Sequence, residues 1–134
     1  MKAVDTSVVV AAFASWHEHH QSARDVIDDG VRLIEHCVLE TYSVLTRLPP
    51  PHRCPPTVVR DYLKQKFTLQ PLRLDAEWFE DFVTTLPDHH VTGGGAYDAL
   101  VAATAAKHKA ALITCDRRAA SLYESYGVRA IFIG

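Results

Sequence analysis

Val4-Asp5-Thr6-Ser7-Val8-Val9-Val10, near the start of the chain, and Ala110-Ala111-Leu112-Ile113-Thr114-Cys115-Asp116, near its end, decide the fold. Each is an apolar stretch carrying an aspartate where a buried strand should stop. In the first, Lys2 to Asp5 reads as a strand and Ser7 to Ala14 as a helix that Thr6 or Ser7 can cap. In the second, Leu112 to Cys115 reads as a strand and Arg117 to Tyr126 as a helix stopped by Gly127. Strand followed directly by helix, without hairpin signals, is how a parallel sheet with covering helices is built.

Working inward, His17 to Asp29 has a helical pattern closed by Gly30, and Val31 to Glu35 alternates like a second strand. Val38, Leu39, Tyr42, Leu45 and Leu48 recur at helical spacing up to Pro49-Pro50-Pro51. Thr57 to Phe67 is amphipathic, with Val58 and Tyr62 on its inward side. Leu69 to Leu74 reads as a strand. Asp75 caps a helix carrying Trp78, Phe79, Phe82 and Val83 that Pro87 ends, and Trp16 and Trp78 are expected to anchor the core. Gly93-Gly94-Gly95 forms a turn before an alanine-rich helix, and Val128 to Ile133 is a final strand. The expected architecture is a three-layer α/β sandwich with a mostly parallel central sheet, residues 1–134 forming a single domain.

Bulk properties narrow the function. Hydrophobic residues make up 48% of the chain, which suits a globular core and excludes a disordered tail. Cys37, Cys54 and Cys115 form no C-x-x-C pair and read as packing residues in a reducing compartment. Asp5 breaks the resemblance of Lys2 and Val8 to Ala14 to a secretory signal, and no segment reaches membrane-span length, so a cytoplasmic protein is expected. The net charge of -2 is not the basic footprint usual for nucleic-acid binding. Two bound divalent ions would bring it to about +2. Arg47, Arg53, Arg60, Lys64, Lys66 and Arg73 face only Asp61 across their stretch, while Asp75 to Asp88 is acidic. That asymmetry fits an RNA-facing side, and equally ordinary solvated helices.

Four acids stand where acids are costly. Asp5 and Asp116 close apolar strands, Asp98 lies in Ala96-Tyr97-Asp98-Ala99-Leu100-Val101-Ala102-Ala103, and Glu40 sits near the start of a helix. A charge among apolar groups costs several kcal/mol or more unless paired. In a parallel sheet, ligands bind outside the carboxyl ends of the strands, which is where Asp5 and Asp116 fall. Singly, Asp5 and Asp116 read as well as helix caps, and Glu40 as a surface residue. Asp98 resists such a reading, because its helix is apolar on nearly every side. Together they point to a shared divalent cation, and an all-oxygen set selects Mg²⁺ or Mn²⁺. Clustered carboxylates with such ions are suited to phosphodiester hydrolysis.

Four segments in this order resemble the PIN-domain family, most closely the VapC-type toxins of bacterial toxin–antitoxin pairs. They are Val4-Asp5-Thr6-Ser7, Leu39-Glu40-Thr41-Tyr42-Ser43-Val44-Leu45-Thr46-Arg47, Tyr97-Asp98-Ala99-Leu100-Val101-Ala102-Ala103 and Leu112-Ile113-Thr114-Cys115-Asp116-Arg117-Arg118. The resemblance extends over essentially the whole chain. It implies a Mg²⁺- or Mn²⁺-dependent endoribonuclease with Asp5, Asp98 and Asp116 as metal ligands and Glu40 completing the cluster. Thr6, Ser7 and Thr114 would orient carboxylates or touch the scissile phosphate. It also implies a homodimer, a cognate antitoxin covering the acidic cleft, and transfer or ribosomal RNA as substrate. Where some relatives carry a further acid after the last aspartate, this chain has Arg117 and Arg118. That favours a single ion, and arginine there suits a bidentate grip on phosphate.

Two other readings compete. One is a PIN-fold binding module for antitoxin or RNA with little turnover. The other is a phosphatase-like enzyme with Asp5 as nucleophile, although the second aspartate usual two positions on is here Ser7. His17, His19, His20, His89 and His90 form no H-E-x-x-H motif and read as surface or partly packed residues. The helices from Glu40 to Leu48 and from Thr57 to Phe67 are expected to form the antitoxin groove, with Val59 and Leu63 as exposed apolar contacts.

Overall fold

The structure is a computed structural model that describes residues 1–134. Its strands are β1 (Lys2–Val4), β2 (Arg32–Leu33), β3 (Ala111–Thr114) and β4 (Ala130–Phe132). They form one sheet in the order β2-β1-β3-β4, with every pair parallel. The helices are α1 (Thr6–Phe13), α2 (His20–Asp28), α3 (Glu35–Thr46), α4 (Pro56–Lys66), α5 (Ala76–Thr85), α6 (Gly95–Lys107) and α7 (Ala120–Ser125). The result is the expected three-layer α/β sandwich, with a sheet that is wholly rather than mostly parallel.

Burial explains the apolar opening. Ala3 and Val4 of β1 and Val8, Val9 and Ala11 of α1 have no exposed surface, so α1 is covered on nearly all sides. Ala99, Ala102 and Ala105 give α6 a small-residue face that is fully buried. Cys37 is buried as packing, and burial pushes its thiol up to about 12. Gly30 and Gly127, at φ 88 and 72, supply the left-handed turns that stop α2 and α7.

The strand order has a consequence for function. From β1 the chain runs out to β2 on one side, and from β3 to β4 on the other. The carboxyl ends of the central pair, β1 and β3, therefore open onto a crevice, the point where doubly wound sheets bind ligands. The register pairs Val4 with Ile113, so Asp5 and Thr114 are the next residues along.

Several local expectations are corrected. Leu69 to Leu74 is not a strand but a single bridge between Leu72 and Ile34. Pro71 has no N–H to offer a ladder, and Arg32 takes the Gln70 carbonyl instead. The helix expected from His17 begins at His20, because the His17 ring nitrogen accepts from the His19 N–H at 3.0 Å and holds a turn. Arg117 to Tyr126 divides into a 3-10 turn (Arg117–Ala119) and α7. Neither tryptophan anchors the core. Trp16 is 51% exposed against His52, and Trp78 is 37% exposed with Lys107 Nζ 3.3 Å above its ring. On α4, Val58 faces solvent while Val59 is completely buried.

Candidate active site

Two strand ends and two helices supply the four carboxylates. Asp5 follows β1 and caps α1: its Oδ1 accepts from the N–H groups of Ser7 (3.1 Å) and Val8 (3.4 Å) and from the Ser7 hydroxyl. Its Oδ2 accepts from the Tyr123 hydroxyl at 3.1 Å. Asp5 is only 5% exposed. Burial pushes its pKa above the usual carboxylate value, while Ser7, Thr114, Tyr123 and the Val8 amide pull the other way. Burial and the Asp5 charge together keep Tyr123 protonated as the donor. With both Asp5 oxygens engaged, an attacking-nucleophile role of the phosphatase kind is poorly served.

Ser7 ties the two strand ends together. Its Oγ accepts from the Cys115 N–H at 2.8 Å and lies 3.4 Å from Thr114 Oγ1. Thr114 Oγ1 in turn accepts from the Asp116 N–H at 2.9 Å. Asp116 caps the following 3-10 turn through the Arg118 N–H (3.0 Å) and also accepts from Arg118 Nε at 3.1 Å.

The other two acids come from facing helices. Asp98 lies half-buried in the first turn of α6. Desolvation raises its pKa first, and then the charges of Asp116, Glu40 and Asp5, against a smaller opposing effect of Arg118. Asp98 thus feels the charges of the other three acids, although they come from opposite ends of the sequence. Glu40 on α3 has Oε2 3.4 Å from His36 Nε2, an ion-pair distance without hydrogen-bond alignment. A cleft of about 490 Å³ is lined by Thr6, Ser7, Glu40 and Asp116, with His17, His19 and Arg118 on its walls.

The donor set suits a hard divalent cation: four carboxylates and hydroxyl oxygens, no thiolate or imidazole cage. Thr6, on the cleft wall, has its Oγ1 buried, beside the Cys37 thiol. In the arrangement shown, no three acidic, histidine or cysteine side chains form a ready ion cage. Asp116 is turned to Arg118 and Glu40 toward His36. The Arg118 side chain is almost wholly solvent-facing, and water screens such a pair strongly. Redirecting Asp116 and Glu40 onto an ion therefore costs little, whereas Asp5 is already fixed.

A PIN-domain family model matches residues 2–125. The chain belongs to the PIN-domain family. Within it the likeness is to the VapC type. Ribonuclease VapC40 of Mycobacterium tuberculosis, strains CDC 1551 / Oshkosh and ATCC 25618 / H37Rv, is 51% identical over 124 residues, 92% of each chain. Ribonuclease VapC27 of strain H37Rv is 39% identical over 139 residues, 96% of this chain and 94% of that one. The crystal structure of FitAcB from Neisseria gonorrhoeae superposes with a TM-score of 0.67 at 21% identity, covering 99% and 97% of the two chains. FitAB bound to an IR36 DNA fragment gives 0.72 at 19% identity, covering 98% and 94%. At those identities the solved structures speak to the fold alone.

In this PIN domain Glu40 and Asp116 line the cleft, and Asp5 and Asp98 lie near enough for the acids' charges to be felt, but the expected substrate contacts are redistributed. The hydroxyls of Ser7 and Thr114 are spent on orienting Asp5 and the Asp116 backbone. The Thr6 hydroxyl is buried. Arg117 points away, toward the Gly134 carbonyl and the Phe132 ring, and Arg118 takes its place beside the acids. His17 and His19 are partly packed, within the sequence expectation, and stand on the cleft wall in the turn that precedes α2. Tyr123 carries no motif; only its helical position hints that it reaches the core. No helix is long and apolar enough to cross a membrane.

Proposed function

We propose that the chain is the toxin of a toxin–antitoxin pair: a Mg²⁺- or Mn²⁺-dependent endoribonuclease that hydrolyses RNA phosphodiesters in the cytoplasm. The observation that carries the reading is the cleft lined by Thr6, Ser7, Glu40 and Asp116 beside the carboxyl ends of β1 and β3, with Asp5 braced by Ser7 and Asp98 near enough to feel the acids' charge. The ribonuclease names of the VapC relatives supply the substrate class.

Asp5, Asp98, Asp116 and Glu40 would hold the ion. When bound, it supplies Lewis acidity toward the phosphate and makes an attacking water easier to deprotonate. The chain's own residues do the rest. Ser7 and Tyr123 fix both oxygens of Asp5, so one acid is pre-oriented before anything binds. Thr114 holds the backbone of Asp116. Arg118, freed from Asp116, has the fork geometry to take a phosphate oxygen pair beside the site.

The antitoxin is assigned to the other side of α3. A groove of about 620 Å³ runs between α3 and α4, lined by Val38, Leu39, Tyr42, Pro56 and Leu63, with Arg60 and Lys64 on its rim. Leu39 is 70% exposed, which is costly to leave uncovered. Leu63, partly buried, lines this groove, whereas Val59 is wholly buried and does not. An apolar antitoxin segment with acidic flanks fits the chemistry. Family resemblance adds a homodimer and transfer or ribosomal RNA as the substrate.

The test is incubation of purified, antitoxin-free protein with total cellular RNA in Mg²⁺, Mn²⁺ or EDTA, alongside Asp98→Asn. Discrete fragments that need both the ion and Asp98 are expected. Equal cleavage by Asp98→Asn, or cleavage undiminished in EDTA, contradicts the assignment.

A further inference from the structure

We infer that Tyr97 is a stacking platform for an unpaired RNA base next to the cleaved linkage, an inference that takes its ligand class from the ribonuclease reading above.

The residue stands out against its helix. The larger side chains of α6 that pack inward, Val101 and Thr104, are nearly fully buried, and most of the rest are alanines. Tyr97 instead leaves 58% of its surface in solvent. Core packing therefore does not account for an aromatic ring at this position. Its orientation is nonetheless fixed: the ring lies parallel to that of His36, with centroids 5.3 Å apart and planes inclined by 7°. One face is covered by the imidazole, and exposure of this size leaves aromatic surface open to a ligand.

The position ties the platform to the site. Tyr97 immediately precedes Asp98, and His36 sits one helical turn before Glu40, with Nε2 3.4 Å from Glu40 Oε2. The stacked pair thus joins the helices that deliver two of the four acids. Glu40 lines the acid cleft, so the pair stands beside that cleft rather than within it.

The chemistry selects the ligand. Sequence-tolerant binding of single-stranded RNA relies on bases laid against aromatic rings, because every base has a π-face. Bases inside a helix are already stacked, so such a platform reads loops, bulges and single strands. A ring held flat by His36 loses little freedom on binding, which keeps the cost of ordering low. The structure thus assigns a substrate with at least one unstacked nucleotide beside the cut, and purines should stack best through their larger face.

The experiment measures fluorescence anisotropy of labelled octaadenylate and of an abasic octamer with the same backbone. It is done at low salt in EDTA, which withholds any ion needed for cleavage. Tyr97→Ala and Tyr97→Leu should weaken octaadenylate binding by about five- to a hundredfold. Tyr97→Phe should stay within about twofold, a π-face being all that is required. None of the three should alter binding of the abasic octamer. Thermal melting of each variant separates a lost platform from a lost fold, and Tyr97→Leu keeps apolar bulk at the site. Equal binding of octaadenylate by wild type and Tyr97→Ala, or equal wild-type binding of both oligonucleotides, overturns the inference. Cleavage of total RNA in Mn²⁺ is scored separately. Base-dependent binding without cleavage leaves the platform standing and the nuclease reading fallen; cleavage with the same sites and KM in Tyr97→Ala does the reverse.

Discussion

Helix α3 separates two surfaces of opposite character. On one side Glu40 and Val44 face the acid cleft, where carboxylates from four elements repel one another. On the other, Val38, Leu39 and Tyr42 face the apolar groove against α4. The cleft is polar and tightly braced at Asp5; the groove is greasy, open and rimmed with cations. Each surface holds free energy that folding does not release, as like-charge repulsion in one and exposed apolar area in the other. On the proposed reading, a cation relieves the first and a protein segment the second. One helix would then join the proposed cation site to the proposed docking groove, with a partner in the groove resting against the element that carries Glu40.

If the two sides are separate in function, single changes should break one and spare the other. The largest effect is expected from Asp98→Asn, which should lower RNA cleavage on the order of 100-fold or more by weakening the hold on the cation that stabilises charge at the reacting phosphate. Antitoxin co-purification should be unchanged. Leu63→Asp should do the opposite. A carboxylate buried under the antitoxin has no partner, so complex affinity should fall roughly 30-fold or more, read by co-purification and titration. Cleavage by the free protein should persist. Wild-type yield of complex from Leu63→Asp would remove the groove from the account.

Two smaller effects sharpen the picture of the cleft. Tyr123→Phe takes the donor from Asp5 Oδ2 and should cost about 1 kcal/mol of stability in a denaturant melt. Because that hydrogen bond holds the Asp5 pKa down, its loss should shift the acid limb of the cleavage profile to higher pH. The smallest effect concerns ion-free stability. Asp98 has a folded pKa raised above 3.8, so its favourable contribution is present below that value and lost as pH rises through the folded one. Asp98→Asn should therefore melt higher than wild type near neutral pH, by about 2 °C given solvent screening, and the gap should close below about pH 4. An unchanged gap across that range would mean that Asp98 is not under like-charge pressure.

The sequence made the strand ends and the acids legible because both are local signals. An aspartate ending an apolar run marks a strand-to-helix junction, and Asp98 in an alanine-rich helix is costly wherever the helix goes. What it hid depends on packing between distant elements. Tyr123 reaches Asp5 only through the tertiary packing that places α7, and no motif announces that contact. His17 and His19 looked like the first turn of a helix, but a side-chain hydrogen bond to the His19 backbone holds them in a turn at the cleft. Val58 and Val59 are adjacent and chemically identical, so composition cannot say which one α4 buries. The arginine pair was equally ambiguous: the 3-10 turn after Asp116 rotates Arg118 toward the acids and Arg117 away. Trp16 and Trp78 were misread because large aromatics usually fill cores, and here they lie on the surface beside His52 and Lys107.

The central claim is that four distant carboxylates make one cation site. Calorimetric titration of Mn²⁺ into the ion-free protein, with Asp98→Asn and Asp116→Asn in parallel, tests it most directly. The account predicts saturable binding by wild type and at least a tenfold loss of affinity in each variant, with both variants folded. Wild-type affinity retained in both, or no saturable binding to the folded wild-type protein, would contradict it.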